Sequence, residues 1–353
     1  MFLGPVGKYA LLNSKVRSRL STLLPRETIQ RLVRAKDVAE IFAMLSGTVY
    51  EKPFSEPEAK IDPKIAERGL LEREVEWHSE LLHDLRGAEK DLVSLLLEGY
   101  ELDNLKAALR IRESRKSQDE LRYLVRSTLP HSLPYQAIAT AKSIEDVASL
   151  LIGTPYSKPF ERAIEDYKER GTLFPIETSL EMDLFRRLAS QVEKLSKTDR
   201  AVARKLIGLE IDLKNINWLI RLKFYHNVPP GELEKYMIPG GSRIRIERLK
   251  KAFASDSPRD TLAAVLERSF AFASRVLESG EELSKLYMIE MILWDYLVDK
   301  ARKTLAGFPF TIGTVLAYFI LKRSEVRNLI TIINGKLLDL DAESIEAQLR
   351  SNF

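Results

Sequence analysis

The stretch KRSEVRNLITIINGK, residues 322–336, sets Glu325 and Asn328 three apart at the edge of an apolar stripe. Val326, Leu329, Ile332 and Ile333 share one face at helical period, so the segment reads as an amphipathic helix. A carboxylate and an amide beside a buried face are costly unless they are paired. The same pattern of carboxylate, two residues, Asn and an aliphatic residue occurs twice upstream. YELDNLKAALRIR (residues 100–112) carries Glu101, Asn104 and Leu105, and EIDLKNINWLIRLK (residues 210–223) carries Asp212, Asn215 and Ile216. The asparagines are 111 and 113 residues apart. That spacing exceeds the usual solenoid periods and points to duplication of a whole domain.

The flanks follow the same register. Two before each Asn stands Leu102, Leu213 or Val326, and four and five after it come Ala108 and Leu109, Leu219 and Ile220, or Ile332 and Ile333. Eight after it is a cation each time: Arg112, Lys223 and Lys336. Two residues before that cation lie Arg110 and Arg221, with Asn334 in the third copy. A cation in a last helical turn complements the macrodipole by about 0.3–1 kcal/mol, and an edge Asn commonly bonds a neighbouring backbone. The polar pairs therefore read as structural ties, whereas the five cations are candidates for a contact with a partner.

A second phrase recurs. LSGTVYEKPF ends at Phe54 and LIGTPYSKPF at Phe160, each behind a segment led by an aspartate, DVAEIFAML from Asp37 and DVASLLI from Asp146. Gly47 and Gly153 read as helix stops, Pro53 and Pro159 as blocks to immediate continuation, and Tyr50, Phe54, Tyr156 and Phe160 as anchors onto a core. The third copy keeps DTLAAVLERS from Asp260 and lacks the loop phrase. Between the breaks nearly every segment has helical period and strand alternation is scarce, so the fold class is all-α. Breaks fall at residues 51–63, 129–134 and 227–244, the last with three prolines and three glycines. The expected organisation is three homologous helical domains, 1–112, 113–225 and 226–353, closing around a pseudo-threefold axis.

Composition narrows the function. Fifty-five basic residues face 51 acidic ones with the signs interleaved, which lacks the basic stripe of a nucleic-acid binder. Cysteine is absent, so thiol chemistry and disulfides are excluded. The N-terminus has no cationic region ahead of a long apolar one, so no secretory signal is expected. The apolar run 307–321 contains Pro309 and falls short of the roughly 20 residues that span a bilayer, and reads as a buried helix after a turn. No HExxH, P-loop, GxSxG or Rossmann signature occurs. Of the four histidines, His78, His83, His131 and His226, His83 forms an HD pair with Asp84, as in helical metal phosphohydrolases, but those enzymes need further His and Asp ligands on neighbouring helices, and His78, five residues away, points off at a different angle. PGGSR at Pro239 lacks the strand and helix of a phosphate loop. No catalytic, metal or cofactor site is expected, and no small-molecule substrate.

The C-terminal run AYFILKRSEVRNLITIINGKLLDLDAESIEAQL resembles the end of the C subunit of the A/V-type rotary ATPases, a relative of the d subunit of the eukaryotic V-ATPase. AY, EVRNL and GKL carry the likeness, with the acidic SIEAQL behind them, YALLNSKVRSRLSTLLP at the start, and IPGG ahead of the third unit. The resemblance implies a funnel of three all-helical domains without an active site, peripheral on the cytoplasmic face of the membrane. It implies seating on the proteolipid (c/K) ring and a socket for a shaft of D and F subunits, as a rotor part carrying torque. Under it, Arg110, Arg112, Arg221, Lys223 and Lys336 are expected near the socket. A helical scaffold in another assembly, and an HD-type metal hydrolase, are the competing readings.

Overall fold

The computed structural model describes residues 4–114, 117–226, 228–255, 257–274 and 282–350. Among these the secondary structure is helical throughout, with no strand. After α1 (Pro5–Leu20) the chain runs three times through a pair of short helices and, past further short helical turns, a pair of long ones. The first pass gives α2 (Arg26–Val33), α3 (Val38–Leu45), α4 (Pro63–Leu81) and α5 (Gly87–Ser114). The second gives α6 (Tyr135–Thr140), α7 (Ile144–Leu150), α8 (Phe174–Glu193) and α9 (Lys197–Ile220). The third gives α10 (Ile246–Phe253), α11 (Pro258–Ser269), α12 (Glu282–Leu305) and α13 (Gly313–Leu337).

By contacts the chain divides into two compact units, neither of them continuous in sequence. One comprises Met1–Asn13, Phe185–Leu321 and Arg350–Asn352, the other Ser14–Leu184, Lys322–Leu349 and Phe353. In the first, Leu206, Leu219, Leu249, Val265, Leu297 and Val315 are buried. In the second, Leu32, Ile41, Leu70 and Leu105 are buried, and Val75, Leu97, Tyr100, Val125 and Leu129 form one apolar cluster. The apolar run 307–321 becomes a turn and the start of α13, with Ile312–Leu321 wholly buried. No helix among the described residues is long and apolar enough to cross a membrane.

Local chemistry sets the short helices. Asp37 caps α3, its carboxylate accepting from Glu40 N–H. The two later aspartates do not lead their helices. Ser143 caps α7 and Asp146 is the third residue, closing a reciprocal capping box. Ser257 caps α11 likewise, with Pro258 in the first turn and Asp260 N–H donating to its Oγ at 3.0 Å. Gly47 and Gly153 stop α3 and α7 at φ +74° and +83°, backbone that only glycine adopts freely. The prolines behind them, however, do not prevent a helix. Pro53 and Pro159 each sit in the first turn of a new short helix, Glu51–Ser55 and Ser157–Arg162, where no intrahelical N–H bond is due. Tyr50, Phe54, Tyr156 and Phe160 are all buried. The turn at Pro53 lies so close to α4 that a Cβ on Gly69 would stand 3.0 Å from the proline's own Cβ.

His78 on α4 is fully buried beside Tyr100, whose hydroxyl donates to the buried Glu74 at 2.6 Å. Burial, with the Arg323, Lys322 and Arg19 charges nearby, holds the imidazole well below its ordinary 6.5. The folded chain therefore keeps His78 neutral while the unfolded chain protonates it below about 6.5, so its contribution is complete above that pH and lost as pH falls through the window beneath it. Thermal unfolding followed between pH 7.5 and pH 5 is expected to show a falling midpoint. His78→Phe is expected to flatten that slope, and an equal slope in the variant refutes the assignment.

Candidate functional site

The repeated carboxylates are buried and fully engaged. Glu101 on α5 accepts the backbone N–H of His131 at 2.8 Å, meets the His131 imidazole at 2.7 Å, and accepts the Tyr156 hydroxyl at 2.9 Å. Glu325 on α13 accepts the Leu24 N–H and the Tyr50 hydroxyl, and the Lys322 ammonium at 2.8 Å. That ammonium is itself buried, 3.0 Å from the Tyr50 hydroxyl and 4.5 Å above the Trp77 ring. Asp212 on α9 accepts the N–H groups of Arg243 at 2.7 Å and Ile244 at 3.1 Å. Burial pushes its carboxyl up to about 7, against the pull of those N–H groups and the Arg243 charge. In each case a long helix grips the backbone that leads into a short one: Leu24 before α2, His131 before α6, Arg243 and Ile244 before α10.

The asparagines make a second grip on the same approach. Asn104 donates Nδ2–H to Val125 O at 2.8 Å and accepts Val125 N–H at 3.0 Å. Asn215 does the same to Ile238, at 2.8 and 2.9 Å. A carboxamide has one donor edge and one acceptor edge, so it meets both backbone groups of a single residue, which no carboxylate or aliphatic side chain can do. Asn328 occupies the matching position on α13 and is buried as well.

The cations divide by position. Arg112, with its side chain 13% exposed, donates to Ala141 O at 3.1 Å and Lys142 O at 3.4 Å, at the end of α6. Lys223, in the π turn that follows α9, donates to Phe253 O at 2.7 Å, the last residue of α10. Both therefore cover the carbonyl end of a short helix, where positive charge is favoured. Lys336 is half-buried. Arg110 is 62% exposed and forks onto Glu177 of α8 at 2.7 and 2.8 Å, and this bond raises its pKa. Arg221 is exposed, and its charge acts on Glu290 of α12, whose carboxyl burial pushes up. Asn334, which replaces a cation in the third copy, bonds the half-buried Glu67 of α4.

Sequence reasoning missed two parts of these clasps. The tyrosine of the repeated loop phrase is the phenol donor to a repeated carboxylate, Tyr156 to Glu101 and Tyr50 to Glu325. The Gly-Gly turn of the IPGG segment packs directly against α9. A Cβ on Gly241 would collide with Asp212 Oδ1, and one on Gly208 would stand 2.9 Å from Ser242 N. The signal was present: the copy that lacks the loop tyrosine follows the one copy whose carboxylate is an aspartate. The HD pair assembles no ligand set, since Asp84 is held by Lys15 Nζ at 2.9 and 2.7 Å and His78 is in the core. Among the described residues no group of three or more His, Asp or Glu is placed to hold a metal.

With this geometry in hand, comparison with known proteins gives one consistent answer. The family described as ATP synthase (C/AC39) subunit matches residues 12–348. The chain is 25% identical over 338 residues to the C subunit of the A-type ATP synthase of Methanosphaera stadtmanae, covering 93% of this chain and 84% of that protein. It is 26% identical to the counterpart in Archaeoglobus fulgidus over 353 residues, 99% and 98% of the two chains. It is 27% identical to the counterpart in Methanosarcina acetivorans over 352 residues, 97% and 92%.

Removing the asparagine grips orphans two buried backbone groups at each. Asn104→Ala and Asn215→Ala are each expected to lower unfolding free energy by about 1–3 kcal/mol in chemical denaturation. A loss within error of zero at both overturns the double hydrogen-bond reading.

Proposed function

Because the chain belongs to the ATP synthase (C/AC39) subunit family, a non-catalytic part of an A/V-type ATP synthase complex, we propose that it is the rotor part joining the central shaft to the membrane ring. In this reading it lies at the cytoplasmic face of the membrane, receives the tip of a shaft built from D and F subunits, and rests on the proteolipid ring. Torque passes through it without chemistry of its own. The observation that carries the proposal is the family match over nearly the whole chain.

The clasps support the mechanical side. An element that carries torque needs joints that do not creep, and each long repeated helix is tied by side-chain bonds made in a buried, low-dielectric setting. Three homologous domains, 1–112, 113–225 and 226–353, in a funnel around a pseudo-threefold axis are part of the same proposal. The order of the ties supports it. Helix α5 grips the entry to α6, α9 grips the entry to α10, and α13 grips the entry to α2. Run in that order, the ties lead from the last copy back to the first.

The shaft contacts proposed for Arg110, Arg112, Arg221, Lys223 and Lys336 carry unequal weight. Arg112 and Lys223 already cover helix ends, whereas Arg110 and Arg221 are exposed at matching positions and remain reachable. The charge reversals Arg110→Glu and Arg221→Glu, made together, are expected to weaken binding to a purified D/F shaft about tenfold or more in low salt, with the gap closing as salt rises. Circular dichroism checks that the variant is folded. Equal affinity of folded variant and parent in low salt removes these two residues from the interface, and absence of any binding by the parent removes the shaft assignment.

A further inference from the structure

The three clasps are not equally built. Those of Glu101 and Glu325 each combine a backbone N–H with a phenol hydroxyl and a cationic or imidazole partner. Asp212 receives backbone N–H groups alone among the described residues. Phe270 stands ten residues after Asp260, as Tyr156 stands ten after Asp146, so the position that supplies a hydroxyl to Glu101 supplies none here. Phe270 is buried and lies under the Arg243 guanidinium, at 5.4 Å. That guanidinium is turned away to Ser269 O at 2.6 Å and over the Tyr296 ring of α12. Arg248 of α10 is likewise held by Ser269 Oγ, at 2.7 Å.

Aspartate is one methylene shorter than glutamate, so the backbone has to come to it. Gly240, at φ +97°, and Gly241 make that approach, with Ser242 N–H on Gly208 O at 3.1 Å. The same glycines give the turn the widest torsional freedom a chain can have. Beside it lies a cavity of about 370 Å³, lined by Val192, Arg204, Gly208, Gly240 and Ser242 among others.

We propose that the α9 clasp, Asp212 on the Gly240–Ile244 turn, is the joint at which this protein opens, while the phenol-bearing clasps of Glu101 and Glu325 stay shut. Local opening draws on the weakest cooperative contacts, and this joint can open without breaking an ion pair or a phenol hydrogen bond. Burial that raises the Asp212 carboxyl also removes part of the charge that would strengthen its N–H bonds. The inference concerns the joint alone and holds whether or not a shaft is the partner.

Amide hydrogen exchange on the intact chain under native conditions tests it, read as protection factors so that intrinsic rates cancel. Arg243 and Ile244 are expected to be at least about tenfold less protected than His131 and Leu24, the amides held by the other two carboxylates. Tyr156→Phe is expected to lower protection at His131 towards the Arg243 value and leave Leu24 unchanged. Equal or greater protection at Arg243 and Ile244 in the parent overturns the proposal. No loss at His131 in Tyr156→Phe overturns the claim that the phenol sets the difference.

Discussion

The organising interaction is a buried carboxylate on a long helix that accepts the backbone N–H of the segment leading into a short helix. A carboxylate out of water costs several kcal/mol unless its lone pairs are met, so wherever one is buried the chain must bring donors to it. That demand fixes where the entry to α2, α6 and α10 can lie. It gives each entry a position along the long helix, and the asparagine one turn later fixes a second point. Two points of attachment set direction as well as distance, which an apolar contact alone would leave free to slide.

The cations and the loop phrase are read differently once the clasps are seen. Arg112 and Lys223 complete the same short helices at their other ends, so the entry is held by an acid and the exit by a base. This is the polarity that a helix dipole favours. The loop tyrosines are polar at the tip and apolar along the ring. They anchor the turn in the core and deliver a hydroxyl to a carboxylate that the chain reaches 55 residues earlier or 275 residues later. Lys322 shows how far the demand extends, since a fully buried ammonium is held by Glu325, Tyr50 and the face of Trp77.

The three repeated segments differ at two matched positions. Where the hydroxyl is lost at Phe270, the acid shortens to Asp212 and a glycine pair closes the distance. Asn334 stands where the other two copies carry Arg110 and Arg221, and it bonds Glu67 of α4.

The sequence by itself determined the helical class, the amphipathic faces, the recurrence of the polar pairs and the family, because these rest on periodicity and on residues near one another in the chain. It also made the aromatic anchors of the loops legible, since Gly and Pro mark turns locally. Tertiary structure alone decided which partner each polar group takes. Glu325 bonds Leu24, and Arg112 is turned to the end of α6 instead of outward, because a hydrogen bond depends on a few tenths of an ångström between segments that sequence spacing does not relate. The two spatially compact units, each drawn from separate parts of the chain, were invisible for the same reason: burial is settled by packing between distant helices, whereas a repeat records only their order.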